Sequence, residues 1–296
     1  MTDTPENPVK TSFHQWSSLQ TQLFWAYSGN VPDYLRALDV DHSHGNWLWL
    51  IREGRVRIHS GAGTCSARAG QWLLCPSGKL RQEFSDDAKI LSVHFLCQWP
   101  TGEPLLPAEK GVVFSAQQHP RLTKSAESLQ RLTRRHFPGV RVMMFEQNTS
   151  LDVFLRMQQA FIVFLTELTR ALNTRGNLVT FKWPTDRRVA RGIQLLQQSP
   201  LSAPLPMERL LNVTGLSRVH LDRMLCTQLG FTVRQYWEHL KETQACHSLE
   251  HTTLTSKEIG YHLGFKQPSH FTTWFKRHLG KPPEAYRAET TARLLG

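Results

Sequence analysis

The chain repeats itself near its C-terminus. Leu221, Leu225, Leu229, Gly230 and Tyr236 recur 50 positions later as Phe271, Phe275, Leu279, Gly280 and Tyr286. Each copy is preceded by a glycine (Gly215 and Gly264), carries apolar residues at i, i+4 and i+8, and ends on a second glycine. Apolar side chains at that spacing lie on one face of an α-helix, and glycine supplies the left-handed backbone at which a helix stops. A short helix, a glycine turn and a second helix with one apolar face make the helix-turn-helix pattern. Two copies at a fixed offset restrict this region to an all-α unit that presents two equivalent helix faces to solvent, and they make double-stranded DNA the leading partner.

Charge points the same way. Sixteen Lys and Arg stand against nine Asp and Glu in residues 182–296, whereas residues 1–181 hold nineteen against fifteen. The excess is densest where the repeats lie, as binding to phosphates requires.

Local signals place the helices of this region. A helix begins around Thr185-Asp186, turns Val189, Ile193 and Leu196 inward, and stops at Ser199-Pro200. Pro206-Met207 opens a short helix through Leu210 and Leu211. Ser217 is an N-cap for the first reading helix, 217–229, whose Leu221, Leu225 and Leu229 face the core. Thr232 caps a long helix with Val233, Tyr236, Trp237, Leu240, Ala245 and Leu249 buried. Thr255-Ser-Lys-Glu258 is a capping box for the next helix. Pro268 suits the first position of the second reading helix, whose Phe271, Trp274, Phe275 and Leu279 turn inward.

The order and spacing of both copies resemble the AraC/XylS family of bacterial transcription regulators over roughly 186–290. The resemblance implies that Ser217, Arg218, Val219, Asp222 and Arg223 of the first reading helix, and Gln267, Pro268, Ser269, Thr272 and Thr273 of the second, face the major groove. Arg223 is the best base reader among them, because a guanidinium grips guanine O6 and N7 together; a phosphate contact is its alternative. The second helix is poor in long polar side chains. Leu211 and Gly260 stand where the family usually has alanine, and Glu242 where an apolar residue is usual. The family also implies contact with RNA polymerase.

The N-terminal half reads differently. From Tyr34 to about Phe114, short strand-like runs (47–51, 55–59, 72–75 and 90–96) alternate with turns such as Glu53-Gly54 and Ala69-Gly70. Strands this short and regular indicate a β-barrel or double-sheet jelly roll. The stretch resembles a cupin barrel, with His42-Ser-His44 as the start of a first motif and Gly70, Pro76 and Gly78 as a second. No carboxylate follows within Gly45 to Trp49, and Arg81 stands where a histidine is expected. At most two of the three ligands that a catalytic metal needs are present, so no metal or other cofactor is expected. Trp47, Trp49, Trp72 and Arg81 are candidates to line a cavity for a small-molecule effector. Arg81 suits an anion, or a surface salt bridge instead.

Residues 117–136 and 151–174 read helical. In the second, Leu151, Phe154, Gln158, Phe161, Leu165, Leu168 and Leu172 fill the a and d positions of three heptads. That stripe either dimerises the chain or packs on the barrel's own sheet. The five cysteines are widely spaced with no CxxC pair, which fits reduced thiols. The N-terminus carries no apolar h-region, and the most apolar stretch, 161–168, falls far short of the ~20 residues that span a bilayer.

The expected fold is therefore α+β in two domains: a cupin-like regulatory barrel (1–115) with a helical connecting and dimerisation region (116–176), then a linker (177–185) and an all-α DNA-binding domain (186–296). The two helix-turn-helix motifs fall at about 206–230 and 255–280. The expected function is a cytoplasmic, sequence-specific transcriptional regulator, a homodimer with no membrane association and no catalytic residues. The alternatives are a cupin-type metalloenzyme built around His42 and His44, and a protein-interaction adaptor with a vestigial DNA-binding domain.

Overall fold

The structure is a computed structural model that describes residues 13–17, 19–42, 45–99, 103–106, 109–138, 144, 147–173 and 186–288. The chain divides into two compact units with the changeover between Phe181 and Lys182. The expected linker lies outside the described residues.

In the first unit, α1 (Phe13–Trp16) precedes β1 (Gln20–Asn30), and α2 (Asp33–Arg36) leads into β2 (Ala37–Asp41). There follow β3 (Asn46–Glu53), β4 (Arg55–Ser60), β5 (Gly63–Arg68), β6 (Gln71–Leu74), β7 (Lys79–Phe84), β8 (Lys89–Gln98) and β9 (Val112–Ser115). Helices α3 (Pro120–His136) and α4 (Leu151–Asn173) complete the unit. One sheet has the order β1-β8-β3-β6-β9, the other β2-β7-β4-β5, and neighbouring strands run antiparallel. The four expected strand runs are β3, β4, β6 and β8. The longest strand, β1, lies upstream of the expected barrel start; its sequence, QTQLFWAYSGN, lacks clean alternation and ends in turn-forming residues.

Pleating sorts the side chains of the five-stranded sheet. Trp49, Ile51, Leu73, Cys75 and Ile90 share a core cluster with Val56, Ile58, Ala67, Leu80 and Phe84 of the other sheet, and Trp47 packs against it. Leu48, Leu50, Trp72, Leu74, Leu91, Val93 and Phe95 alternate with them and therefore point to the opposite face. Helices cover that face. Phe161 and Phe164 of α4 meet Phe95 with ring centroids 6.0 and 5.6 Å apart. The Trp72 indole N–H donates to Thr123 Oγ1 of α3 at 3.3 Å. Each large side chain buried here contributes about 1.5–3 kcal/mol relative to exposure. The β3 run NWLWLI is apolar at successive positions because both of its faces are covered.

The second unit is all helix: α5 (Arg187–Gln198), α6 (Met207–Thr214), α7 (Arg218–Leu229), α8 (Val233–His251), α9 (Ser256–His262) and α10 (Pro268–Leu279). Val189, Ile193, Leu196, Leu210, Leu221, Leu225, Val233, Tyr236 and Trp237 are buried around the first motif. Ala245, Cys246, Leu249, Ile259, Leu263, Phe271, Trp274 and Phe275 form the core of the second. No helix among the described residues is long and apolar enough to cross a membrane.

Candidate nucleic-acid interface

Local chemistry fixes each reading helix. Ser217 Oγ accepts from the His220 amide at the start of α7, and Gly215 (φ 64°) ends α6 in the left-handed conformation. The equivalent turn of the second motif is held from outside as well. Gly264 has φ +83°, and a Cβ there would lie 2.4 Å from the Ser202 carbonyl oxygen, so the loop after α5 leaves room for no side chain. Gly260 is buried, and a Cβ built on it would sit 3.0 Å from Phe271 Cβ. The approach is tight because α9 and α10 lie close enough here that the Cβ and Cγ of Phe271 come within 3.3 Å of that position.

Helix α8 joins the motifs through polar contacts that the apolar pattern did not reveal. Thr232 forms a capping box with Gln235 at its start. The Trp274 indole N–H donates to Glu238 Oε2 at 2.6 Å, and Lys241 Nζ donates to the Leu263 carbonyl at 2.9 Å. Partial burial lowers the Lys241 pKa, with Glu238 opposing the shift. Tyr236 OH accepts from Gln197 Nε2 at 2.9 Å, which ties α8 to α5; burial raises the Tyr236 pKa well above its ordinary value. Glu242, out of place as an apolar position, lies 3.5 Å from His278 Nδ1.

On this scaffold α7 and α10 present matching outer faces. Ser217, Arg218, Val219 and Arg223 are exposed, as are Gln267, Ser269, Thr272 and Thr273; Pro268 is half-buried at the first helical position. Val219 is 79% exposed, so its isopropyl group is free to meet a thymine methyl. Thr272 Oγ1 bonds back to the Pro268 carbonyl at 3.1 Å. Arg218 lies toward α8, where with Arg234, Trp237, Glu238 and Lys241 it lines a groove of about 360 Å³.

Asp222 departs from the expected arrangement. Its Oδ1 accepts from the Val233 amide at 2.8 Å, so the carboxylate caps α8 instead of standing free at the outer face. The amide it serves is one that a helix N-terminus leaves without an intrahelical partner. Conversely, Lys276 is exposed one turn beyond Thr272 and Thr273. It supplies the long cation that the N-terminal half of α10 lacks. Its position four residues after Thr272, on the same helical face, was the signal in the sequence.

The first unit corrects other expectations. Trp49 is buried between the sheets and Trp47 packs beside it, but Trp72 is on the helix-covered face. Arg81 points outward on β7, 3.2 Å from Glu83 Oε1 and 3.6 Å from Asp39 Oδ2, and its hydrogen bond lowers the Glu83 pKa. The four residues therefore line no common cavity. His42 is buried, with its ring stacked on Trp47 at 4.9 Å, and Trp47 stacks on His94 at 3.8 Å. His44 lies outside the described residues. Among the described residues no group of three or more His, Cys, Asp or Glu is placed to hold a metal.

The heptad stripe of α4 divides in two. Phe161, Leu165, Leu168 and Leu172 are buried within the unit, so they make no seam for a second copy. Leu151 and Phe154 of that stripe remain 71% and 46% exposed, and beside them Leu155 and Ile162 are 55% and 50% exposed. The a/d reading caught the packed face because the sheet selects the same 3–4 spacing as a partner helix.

Comparison with known proteins bears on the second unit. Residues 210–289 match the helix-turn-helix domain family. The transcriptional activator RhaS of Enterobacter sp. (strain 638) is 28% identical over 151 residues, which cover 50% of this chain and 51% of that protein. The multiple antibiotic resistance protein MarA of Salmonella typhimurium is 29% identical over 87 residues, covering 29% of this chain and 68% of that protein. Among solved structures, the DNA-binding domain of AdpA in complex with a target DNA is 28% identical, covering 36% of this chain and 96% of that one at a TM-score of 0.33. The chain spans about half the length of the RhaS protein that it matches. Residues 210–289, which hold most of both motifs, thus match the helix-turn-helix domain family and are similar to the DNA-binding regions of these regulators.

Proposed function

We propose that the chain is a sequence-specific transcriptional regulator that binds double-stranded DNA through α7 and α10. The observation that carries this reading is the parallel disposition of the two helices: Leu221 and Leu225 are buried as Phe271 and Phe275 are 50 positions on, and Ser217, Val219 and Arg223 are exposed as Gln267, Ser269 and Thr273 are. Helix α8 holds them in one rigid unit through Glu238, Lys241 and Tyr236, which suits successive major-groove segments about one helical turn, ~34 Å, apart. In this reading 186–296 is the DNA-binding domain, 1–115 a regulatory barrel that senses a small molecule, and 116–176 the connecting region. RNA polymerase is the partner implied by the family, the setting is cytoplasmic, and no enzymatic step is assigned.

A homodimer fits the exposed part of α4. Leu151, Leu155 and Ile162 recur at helical spacing on the side away from the sheet, so this face, and not the buried one, is the self-association surface in our reading.

The test is titration of the full chain against a duplex selected from a random pool and against an unrelated duplex, at several salt concentrations. Preferential, salt-dependent binding to the selected duplex is expected. A folded protein with no affinity for either duplex overturns the reading.

A further inference from the structure

Helix α3 carries a stripe that neither the packing of its own unit nor the reading heads explain. Five cations, Arg121, Lys124, Arg131, Arg134 and Arg135, are exposed on it, and Leu122, Ala126, Leu129 and Thr133 bury its opposite side. Arg121, Lys124, Arg131 and Arg135, together with Ser128, follow a 3–4–3–4 spacing, which aligns them along one face. At 1.5 Å per residue the stripe runs ~21 Å. Glu127 is the acidic residue of this helix, and its carboxylate is drawn aside to Arg52 at 2.8 Å. Arg131 donates to Ser128 Oγ at 2.8 Å, and among the described residues no carboxylate pairs with any of the five cations.

Two observations give this charge a purpose beyond solubility. First, α3 holds five cations against one anion, and its excess of four equals that of the whole 1–181 stretch, nineteen against fifteen. The rest of that stretch carries no net charge, so the net positive charge of residues 1–181 is that of this helix. Second, the helix dipole accounts for only part of it. Cations in the last turn, Arg134 and Arg135, interact favourably with the C-terminal carbonyls, but Arg121 and Lys124 sit near the N-terminus, where the dipole opposes positive charge. Like charges at i, i+4, as Arg131 and Arg135, also repel. An arrangement that costs the free helix stability is compensated when a polyanion lies along it.

We infer that Arg121, Lys124, Arg131 and Arg135 form a second, sequence-independent phosphate-binding surface that seats on the backbone of the same duplex that α7 and α10 read. The inference rests on the DNA-binding reading above. Duplex DNA presents one negative charge per ~1.7 Å of axis, so a ~21 Å stripe faces several phosphates along its length. An anionic membrane is the less fitting occupant: interfacial helices bury an apolar face beside their cations, and none of the exposed large hydrophobic residues belongs to α3.

The experiment uses the full chain and the fourfold variant Arg121→Gln, Lys124→Gln, Arg131→Gln, Arg135→Gln, with the double variant Lys124→Gln, Arg131→Gln as a milder partner if the fourfold protein melts early. Each is titrated with a short duplex holding only the selected site and with one carrying ~20 additional base pairs on each side. Each phosphate contact adds ~0.9 to the slope of log K against log salt. The wild type should bind the longer duplex more tightly and with a steeper slope, and the fourfold variant should lose that increment, about two to four in slope, while its affinity for the short duplex stays within about twofold. Equal slopes for wild type and variants on the longer duplex overturn the inference and leave the reading heads untouched. A wild type that binds neither duplex overturns both readings. If the variants instead lose binding to phosphatidylserine vesicles while their DNA slopes match wild type, the stripe is a lipid surface and the inference fails.

Discussion

Asp222 Oδ1 accepts a hydrogen bond from the Val233 amide at 2.8 Å, linking the first reading helix to the helix that carries the second. Its carboxylate is committed before any DNA arrives, so it stabilises the scaffold. Asp222→Ala should lower the stability of the C-terminal unit by about 1.5–3 kcal/mol, the range for a hydrogen bond to a charged group. Asp222→Asn, which keeps an acceptor oxygen, should lose less. Thermal melts of the two variants, alongside selection of binding sites from a random pool, check this. An unchanged melt with altered base preference would return Asp222 to the groove.

Arg223 and Lys276 should separate by role. Arg223→Ala is expected to cost ~1–3 kcal/mol on the selected site and to relax preference at one or two base pairs. Thr273→Ala should cost less, because a lone hydroxyl makes no bidentate contact. Lys276→Ala should weaken all sequences alike and reduce the salt slope by about one. Quantitative footprinting on selected and random DNA reads all three. Equal losses on both DNAs for Arg223→Ala would make it a phosphate contact.

The two sides of α4 predict opposite outcomes for charged substitutions. Leu165→Glu with Leu168→Glu places carboxylates where the residues are 8% and 0% exposed, so the sheet-rich unit should unfold or melt far earlier. Leu155→Glu with Ile162→Glu should leave the melt near wild type and shift sedimentation to the monomer. A wild-type mass for the second pair would remove self-association from this face.

Acid should reach the start of α5 late. Asp186 accepts from the Arg188 side chain and amide, which lowers its pKa from 3.8 to about 2. Because the folded value is the lower one, its contribution to stability is complete above the unfolded pKa near 4 and fades as pH falls toward 2. The Asp186 carboxyl resonance, followed by NMR in the folded protein, should titrate near pH 2. Arg188→Gln should move that midpoint up toward the ordinary carboxylate value. A wild-type midpoint near 4 would mean that the Arg188 pair does not hold in solution.

The repeat alone determined the paired helix-turn-helix motifs, their turns and their caps. Those signals are local: Gly215, Ser217, the Thr255–Glu258 box and the apolar i, i+4, i+8 runs act within one or two turns of chain, so sequence neighbours carry the information. The strands β3, β4, β6 and β8 were legible for the same reason. Tertiary structure decided which face of each element met which partner. Trp72 is as apolar as Trp49, yet the pairing of Leu50 with Trp72 and of Trp49 with Leu73 sends the two tryptophans to opposite sides of one sheet. Register fixes that, and register is a relation between distant segments. Asp222 reads as a groove residue until the fold brings the Val233 amide to it. Leu165 and Leu168 read equally as seam or core until Phe95 and its sheet occupy the space against α4. A pattern of apolar spacing says that a face will be covered; only the packed chain says by what.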